Sequence, residues 1–341
     1  MGNNKNTNEM INKKKVIGNV LKWIFIAGLL IFAYIKNKEF MADSLKVVKT
    51  TPKVLLVLCL LLANLYFVAE GKIISSMTER GERKLSVIQG MSCAYMCMFY
   101  RLATLGSGNG IAQLYYYNTK GITVSSATGM ALSQYTFQKI TIGVMGVVSF
   151  ICLILFGDSK LLKYTGYMIA GVVVISAICI FLFLITVSKK ISDFIMMLGR
   201  RIVKGKSKLY AKLDDAQNAI DSLQSQGRIV WNDKKLFFVV VILNILKFSC
   251  WYIIPGVLFA GEFNVNIFMC LALMAVCNML GCVMIAPSGV GTLDFVFAIF
   301  FGSIIGSAEA VAAAILIYRL FTWIIPFLIG FIPAAFLRKG N

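Results

Sequence analysis

Apolar stretches dominate the chain, at approximately 16–35, 54–70, 86–103, 126–156, 164–187, 236–260, 265–286, 293–305 and 308–336, and most are joined by short polar links. A helix needs about 20 apolar residues to cross a bilayer core about 30 Å thick, and several of these stretches reach that length. The pattern predicts an all-α polytopic membrane protein with about seven spanning helices. One long polar stretch, 188–235, interrupts it; within that stretch "ISDFIMMLGRRIV" reads as a short helix lying in the membrane interface.

Two places resist simple crossing. The run 293–305 would be about 20 Å long as a helix, too short to span. It follows "APSGVGTLD" (286–294), where Pro287, Ser288, Gly289 and Gly291 discourage a continuous helix and Asp294 adds a charge that is expensive in hydrocarbon. Treating 265–305 as a hairpin that turns at "APSGVG" makes the break intentional, since irregular backbone is tolerated at membrane depth where it faces protein or a wet cavity. Charge raises the same issue earlier. Basic segments 1–15, 71–86, 188–235 and 337–341 belong in the cytoplasm by the positive-inside rule. The crossings reconcile with that only if 86–122 also enters, turns around "RLATLGSGNG" (101–110) and returns to the same side. In this arrangement the Lys-rich loop 36–53 falls outside, against its charge.

Two re-entrant hairpins in corresponding places, one from each side, predict an inverted-repeat transporter with a site near the midplane. The expected organisation is a cytoplasmic basic tail (1–15), one membrane domain (16–336) with the cytoplasmic segment 188–235 between its halves, and a cytoplasmic tail (337–341). The first apolar run lacks a convincing cleavage site and reads as an uncleaved signal anchor.

Composition agrees: 59% of residues are hydrophobic and 14% charged, which excludes an ordinary soluble domain. The net charge of +19 is spread over the connecting segments, so anionic lipid accounts for it and direct nucleic-acid binding is not expected. The sequence has no histidine, which removes Ser–His–Asp and Cys–His catalysis, and no Walker-type loop. The polar stretch 188–235 is too short for a nucleotide-binding or acyltransferase domain. The nine cysteines lie in or beside apolar segments as small hydrophobes, with no metal site, disulfide framework or cofactor expected.

The candidate chemistry is therefore a handful of polar residues in apolar surroundings. Arg101 opens the first glycine-rich turn, where it can reach a phosphate or simply snorkel to headgroups. Gln113, Gln134, Gln138 and Lys139 point to a bundle interior, either as substrate ligands or as interhelical hydrogen bonds. Asp294 and Arg319, each flanked by apolar sequence, are expected to sit near each other or near a ligand; a purely structural ion pair is the alternative. Glu70 and Glu309 fall at segment ends and are expected to face water. The motif "GVMG" (143–146) falls short of GxxxG.

The segment "ATLGSGNGIAQLYYYNTKGITVSSATGMALSQYTFQK" (103–139) resembles the first signature of the flippase-like membrane domain of lysylphosphatidylglycerol synthases, and "APSGVGTLD" with "ILIYRLFTWIIPFLIG" (315–330) resembles its second. That second signature usually reads Pro-Gly-Gly-x-Gly, then an acid, then Tyr-Arg in the last helix. The resemblance marks Gly108, Gln113, Pro287, Gly289, Gly291, Asp294, Tyr318 and Arg319 as site residues. The first motif lacks its usual prolines, Ser288 stands for a glycine, and Asp294 for the commoner Glu. In the full-length family a cytosolic domain transfers lysine from lysyl-tRNA to phosphatidylglycerol, and the membrane part is implicated in moving the product. No such domain is expected here. The resemblance thus implies translocation of an anionic or aminoacylated phospholipid, or another lipid-linked headgroup, in the cell membrane. The alternative is a non-catalytic membrane component of a phosphatidylglycerol lysyltransferase, linked to cationic-peptide resistance, with a separate synthase protein as partner. The sequence leaves the oligomeric state open.

Overall fold

The computed structural model describes residues 46, 48–104, 106, 108–203, 207–260, 263, 265–284 and 291–338. The first apolar run, the N-terminal tail, Pro287 and Gly289 lie outside the described residues. Of an initial unit spanning Met1–Thr50, residues 46 and 48–50 are helical.

All regular structure among the described residues of the second unit, Thr51–Asn341, is helical. In chain order the helices are α1 (Lys53–Thr78), α2 (Val87–Ala103), α3 (Asn109–Thr119), α4 (Val124–Phe156), α5 (Thr165–Val187), α6 (Lys189–Ile202), α7 (Ser207–Asn232) and α8 (Lys234–Tyr252). Then come the short α9 (Ile254–Phe259), α10 (Ile267–Val283), α11 (Thr292–Ile305), α12 (Ala308–Arg319) and α13 (Ile325–Arg338). A 3₁₀ turn, Ser159–Tyr164, leads into α5, and a π-helical turn, Leu320–Ile324, joins α12 to α13.

Polar residues at the apolar boundaries start these helices by taking up N–H groups that the first turn leaves unpaired. Ser86 Oγ accepts from Gln89 N at 3.2 Å while Gln89 Oε1 accepts from Ser86 N at 2.9 Å, a reciprocal capping box at the head of α2. Asp233 Oδ1 accepts from Leu236 N at 3.0 Å to open α8, and Asn266 Oδ1 accepts from Phe268 N at 2.8 Å to open α10.

Among the described residues, five continuous helical stretches are long and apolar enough to cross a membrane: Lys53–Thr78, Val124–Phe156, Ser159–Val187, Lys234–Phe259 and Ala308–Phe336. Large apolar side chains stand exposed along them, such as Val148, Phe181 and Phe331, as expected where the surrounding medium is lipid rather than water. The chain is an all-α polytopic membrane protein. Helices α10 and α11 are apolar but shorter, and α2 and α3 form a second pair of short helices folded against each other. At 1.5 Å per residue α3 and α11 are about 16 and 21 Å long.

The segment 188–235 is more ordered than its polarity suggests. It forms α6, whose Phe194, Leu198 and Ile202 stand exposed at i, i+4 and i+8, and the long α7, which packs along α4. Buried Gln224 of α7 donates to Ile185 O at 2.7 Å and Ser192 Oγ at 3.0 Å, tying α7 to both α5 and α6.

Several helix contacts cross between the halves, among them the following two. Helix α2 of the first pair packs on α13, the last helix of the chain, and α10 of the second pair packs on α4, the long helix that follows the first pair. Each has a glycine at the closest approach. A Cβ on Gly330 would come within 2.1 Å of Tyr95 O, and one on Gly146 within 2.6 Å of Met279 Cβ. The short "GVMG" motif is therefore a helix-packing motif after all: Gly143 likewise leaves space that Cys179 of α5 fills.

Candidate functional site

Helix α11 begins at Gly291, whose φ of +85° suits a residue without Cβ. Three residues on, Asp294 folds back so that its Oδ2 accepts from Gly291 N at 3.2 Å. Its Oδ1 receives Arg319 Nε at 2.7 Å from the end of α12. The pair is enclosed, with the Arg319 side chain 13% and the Asp294 side chain 28% exposed.

One carboxylate oxygen engages one of the five guanidinium N–H groups. The remaining donors, on Nη1 and Nη2, are buried and have no hydrogen-bond partner among the described residues. The guanidinium carbon lies 3.9 Å from the centre of the Trp323 ring, which supports the flat cation from the π turn. That turn matters here: five residues of π-helix begin directly after Arg319, and such turns redirect side chains within an otherwise regular helix. The Arg101 guanidinium lies 5.4 Å from the same indole. Trp323 thus brings together two arginines from the two halves of the sequence.

Arg101 also borders a cavity of about 450 Å³ bounded by α1, α2, α3, α4 and α8. Its polar wall includes Glu70, Gln113, Gln134 and Gln138, and its apolar wall includes Tyr66 and Trp251, stacked with ring centres 3.8 Å apart. Behind that wall Lys247, 0% exposed, donates to Glu70 Oε2 at 2.5 Å. Gln134 and Gln138 both donate to Glu70 Oε1, at 2.6 and 2.8 Å. Gln113 Nε2 donates to Gln134 Oε1 at 2.6 Å and to Tyr117 Oη at 3.1 Å. The chain of donors runs from the carboxylate outward and fixes which way each amide faces.

The other residues singled out by sequence fall as follows. Gly108 precedes α3, and its N–H donates to Thr104 Oγ1 at 2.6 Å. Tyr318 is buried, with its ring beside Phe297, and takes no part in the ion pair's hydrogen bonds. Lys139 does not border the cavity: it lies over the Tyr135 ring and 3.6 Å from Cys282 Sγ. Glu309 is exposed, as expected at a segment end.

Glu70 is not. It was expected to face water, but α1 continues to Thr78, so Glu70 is buried in mid-helix. Lys247 and Trp323 were missed as well. The signal for Lys247 was present, since it is a lone charge inside "VVVILNILKFSCWY", the same feature that singled out Asp294 and Arg319. For Trp323 nothing but its distance of four residues from Arg319 could have served.

Among the described residues no group of three or more His, Cys, Asp or Glu converges as a metal site. Among the described residues no acid–base or nucleophilic constellation accompanies the ion pairs; the arrangement offers two arginines beside one indole, a polar cavity and short helices. No curated protein matches the sequence. The model of the lysylphosphatidylglycerol synthase TM region matches residues 19–330 of the chain, which therefore belongs to that family.

Proposed function

We propose that the protein translocates phospholipid across the cell membrane, with Arg319 holding the headgroup phosphate. The observation that carries this reading is the buried guanidinium with both η nitrogens unpartnered. An arginine fixed through Nε and stacked through its face presents those nitrogens as a ready fork for two oxygens of a phosphate. Leaving such donors dry and unpaired is costly, so an anionic ligand that fills the site recovers free energy. Asp294 and Trp323 hold the fork in place, and Arg101 supplies a second positive charge beside the same ring.

The pairing of short helices supports transport rather than anchoring. Helix pairs α2–α3 and α10–α11, each too short to cross fully, suit re-entrant hairpins turning at membrane depth, with both termini and 188–235 cytoplasmic. On this reading a single cysteine at Gly108 in a cysteine-free background labels slowly with impermeant reagents from either side. Fast labelling would place the turn in an ordinary loop.

The direct test is reconstitution in liposomes with a fluorescent phosphatidylglycerol whose outer-leaflet fraction is read by chemical quenching. The wild-type protein is expected to accelerate leaflet exchange and Arg319→Gln to lose at least about tenfold of that rate, the scale of a charge-assisted phosphate contact. Exchange no faster than in protein-free vesicles would overturn the proposal.

A further inference from the structure

We infer that α6 is a seat for anionic lipid: its apolar stripe sinks into the leaflet at which α5 ends, and Lys190 and Arg201 along one edge of the stripe hold lipid phosphates. Neither Arg319 nor the cavity takes part in this contact.

Connectivity sets the position of α6. Ser188 alone separates it from α5, the end of one of the membrane-crossing stretches, and its extended backbone lets the chain turn there. Phe183, Leu184 and Val187 stand exposed on the last turns of α5, and the exposed stripe Phe194, Leu198 and Ile202 follows directly on α6. Lipid-facing apolar surface therefore continues across the turn. An α6 that projected away from the bilayer would hold that stripe in water.

The other side of α6 is already taken. Ser192 and Met196 are buried, and α7 runs antiparallel to α6: Gln224 Nε2 donates to Ser192 Oγ at 3.0 Å, and Arg200 Nη2 donates to Asp214 Oδ1 at 3.1 Å. The Ser222 and Ser125 hydroxyls, 3.0 Å apart, tie α7 in turn to the start of α4. With its back held in this way, α6 has no means of rolling the stripe inward.

Charge then selects the occupant. Helix α6 carries four basic residues, Lys189, Lys190, Arg200 and Arg201, and one acid, Asp193, whereas α7 has as many acids as bases. Lys190 lies one turn before Phe194, and Arg201 lies three residues after Leu198, so both border the stripe. Both are exposed, and their aliphatic stems can lie along the apolar side chains while the charged ends reach headgroup phosphates. An apolar protein partner would match the stripe alone. An anionic bilayer surface matches the stripe and its basic edge together.

Spin labels on single cysteines in a cysteine-free full chain test this in nanodiscs. In a mixture of phosphatidylcholine and phosphatidylglycerol, labels at positions 194, 198 and 202 are expected to collide more with oxygen, which concentrates in lipid, than with a water-soluble nickel complex. A label at position 215 of α7 is expected to do the reverse. Preference for nickel at 194, 198 and 202 would overturn the inference, and so would protection from both reagents, which marks a protein partner. In phosphatidylcholine alone, the oxygen-to-nickel ratio at 194 is expected to fall at least about fivefold, the scale of one basic residue at an anionic surface. Lys190→Gln with Arg201→Gln should produce the same fall in the mixed discs. A ratio indifferent to lipid charge and to the double change would overturn the assignment of these two residues to lipid phosphates.

Discussion

Lys247 Nζ sits 2.5 Å from Glu70 Oε2, joining two helices whose residues are 177 positions apart in sequence, with the lysine wholly inside the protein. Neither charge could remain there alone. Their attraction offsets a desolvation cost of several kcal/mol per ion, and the glutamine donors complete the carboxylate's shell.

Removing one partner should therefore cost far more than removing both. Glu70→Gln leaves Lys247 buried and uncompensated and is expected to lower stability by about 3–5 kcal/mol, whereas Glu70→Gln with Lys247→Met should recover most of it. Thermal unfolding in detergent for the two single variants and the double would check this. Equal destabilisation by single and double changes would show that packing, not charge, dominates at this position.

On the proposed reading the Asp294–Arg319 pair behaves differently, because Arg319 holds a ligand. Asp294→Asn is expected to cost less than the about 3–5 kcal/mol of a fully buried pair, since its carboxylate keeps partial exposure. The double change Asp294→Asn with Arg319→Gln should restore stability and remain inactive. Melting temperature and lipid exchange are measured on the same preparations; a double variant that regains full exchange would reduce the pair to a structural role.

Acid should loosen the connection between α1 and α4. Glu82, outside the membrane-spanning helices, accepts from Thr123 N at 2.8 Å, Thr123 Oγ1 at 2.7 Å and Ser126 Oγ at 2.7 Å, and these donors hold its carboxyl below the usual carboxylate range. A folded-state pKa below the unfolded one means the contribution is fully present near neutrality and lost as pH falls through the folded value. The melting-temperature gap between wild type and Glu82→Gln should be widest at neutral pH and close in acid. A gap independent of pH would contradict this.

The docking of α7 can be broken by a single side chain. A Cβ on Gly129 would lie 2.3 Å from Ser222 O, so Gly129→Leu must push α7 away from α4, at an overpacking cost of about 1–3 kcal/mol. Limited proteolysis should then cut within 188–235 faster than in the wild type. An unchanged cleavage rate would mean that α7 is held elsewhere.

Much of this was legible in the sequence because a bilayer leaves few options. Helix limits followed the apolar runs closely, as in α2 and α11, and Asp294 and Arg319 were expected to lie near each other or near a ligand because isolated charges in hydrocarbon need a partner. What escaped was decided by tertiary contacts. The stretch "EGKIISSMT" looks like the start of a polar link, yet it continues α1, with Thr78 Oγ1 bonded back to Ile74 O at 2.8 Å and receiving Leu85 N at 3.1 Å. Similarly, α7 is too polar to read as a packed helix until α4 offers Gly129 as its seat.

Two of the cross-half contacts, α2 on α13 and α10 on α4, act as a pair of clasps. With backbone against backbone at Gly330 and side chain against backbone at Gly146, neither clasp has slack to slide. A seesaw of one half against the other would have to tear both at once. The return arm of each short pair is fastened as well, α3 by buried Tyr116 and Tyr117 and α11 by buried Phe297 and the Asp294–Arg319 bond.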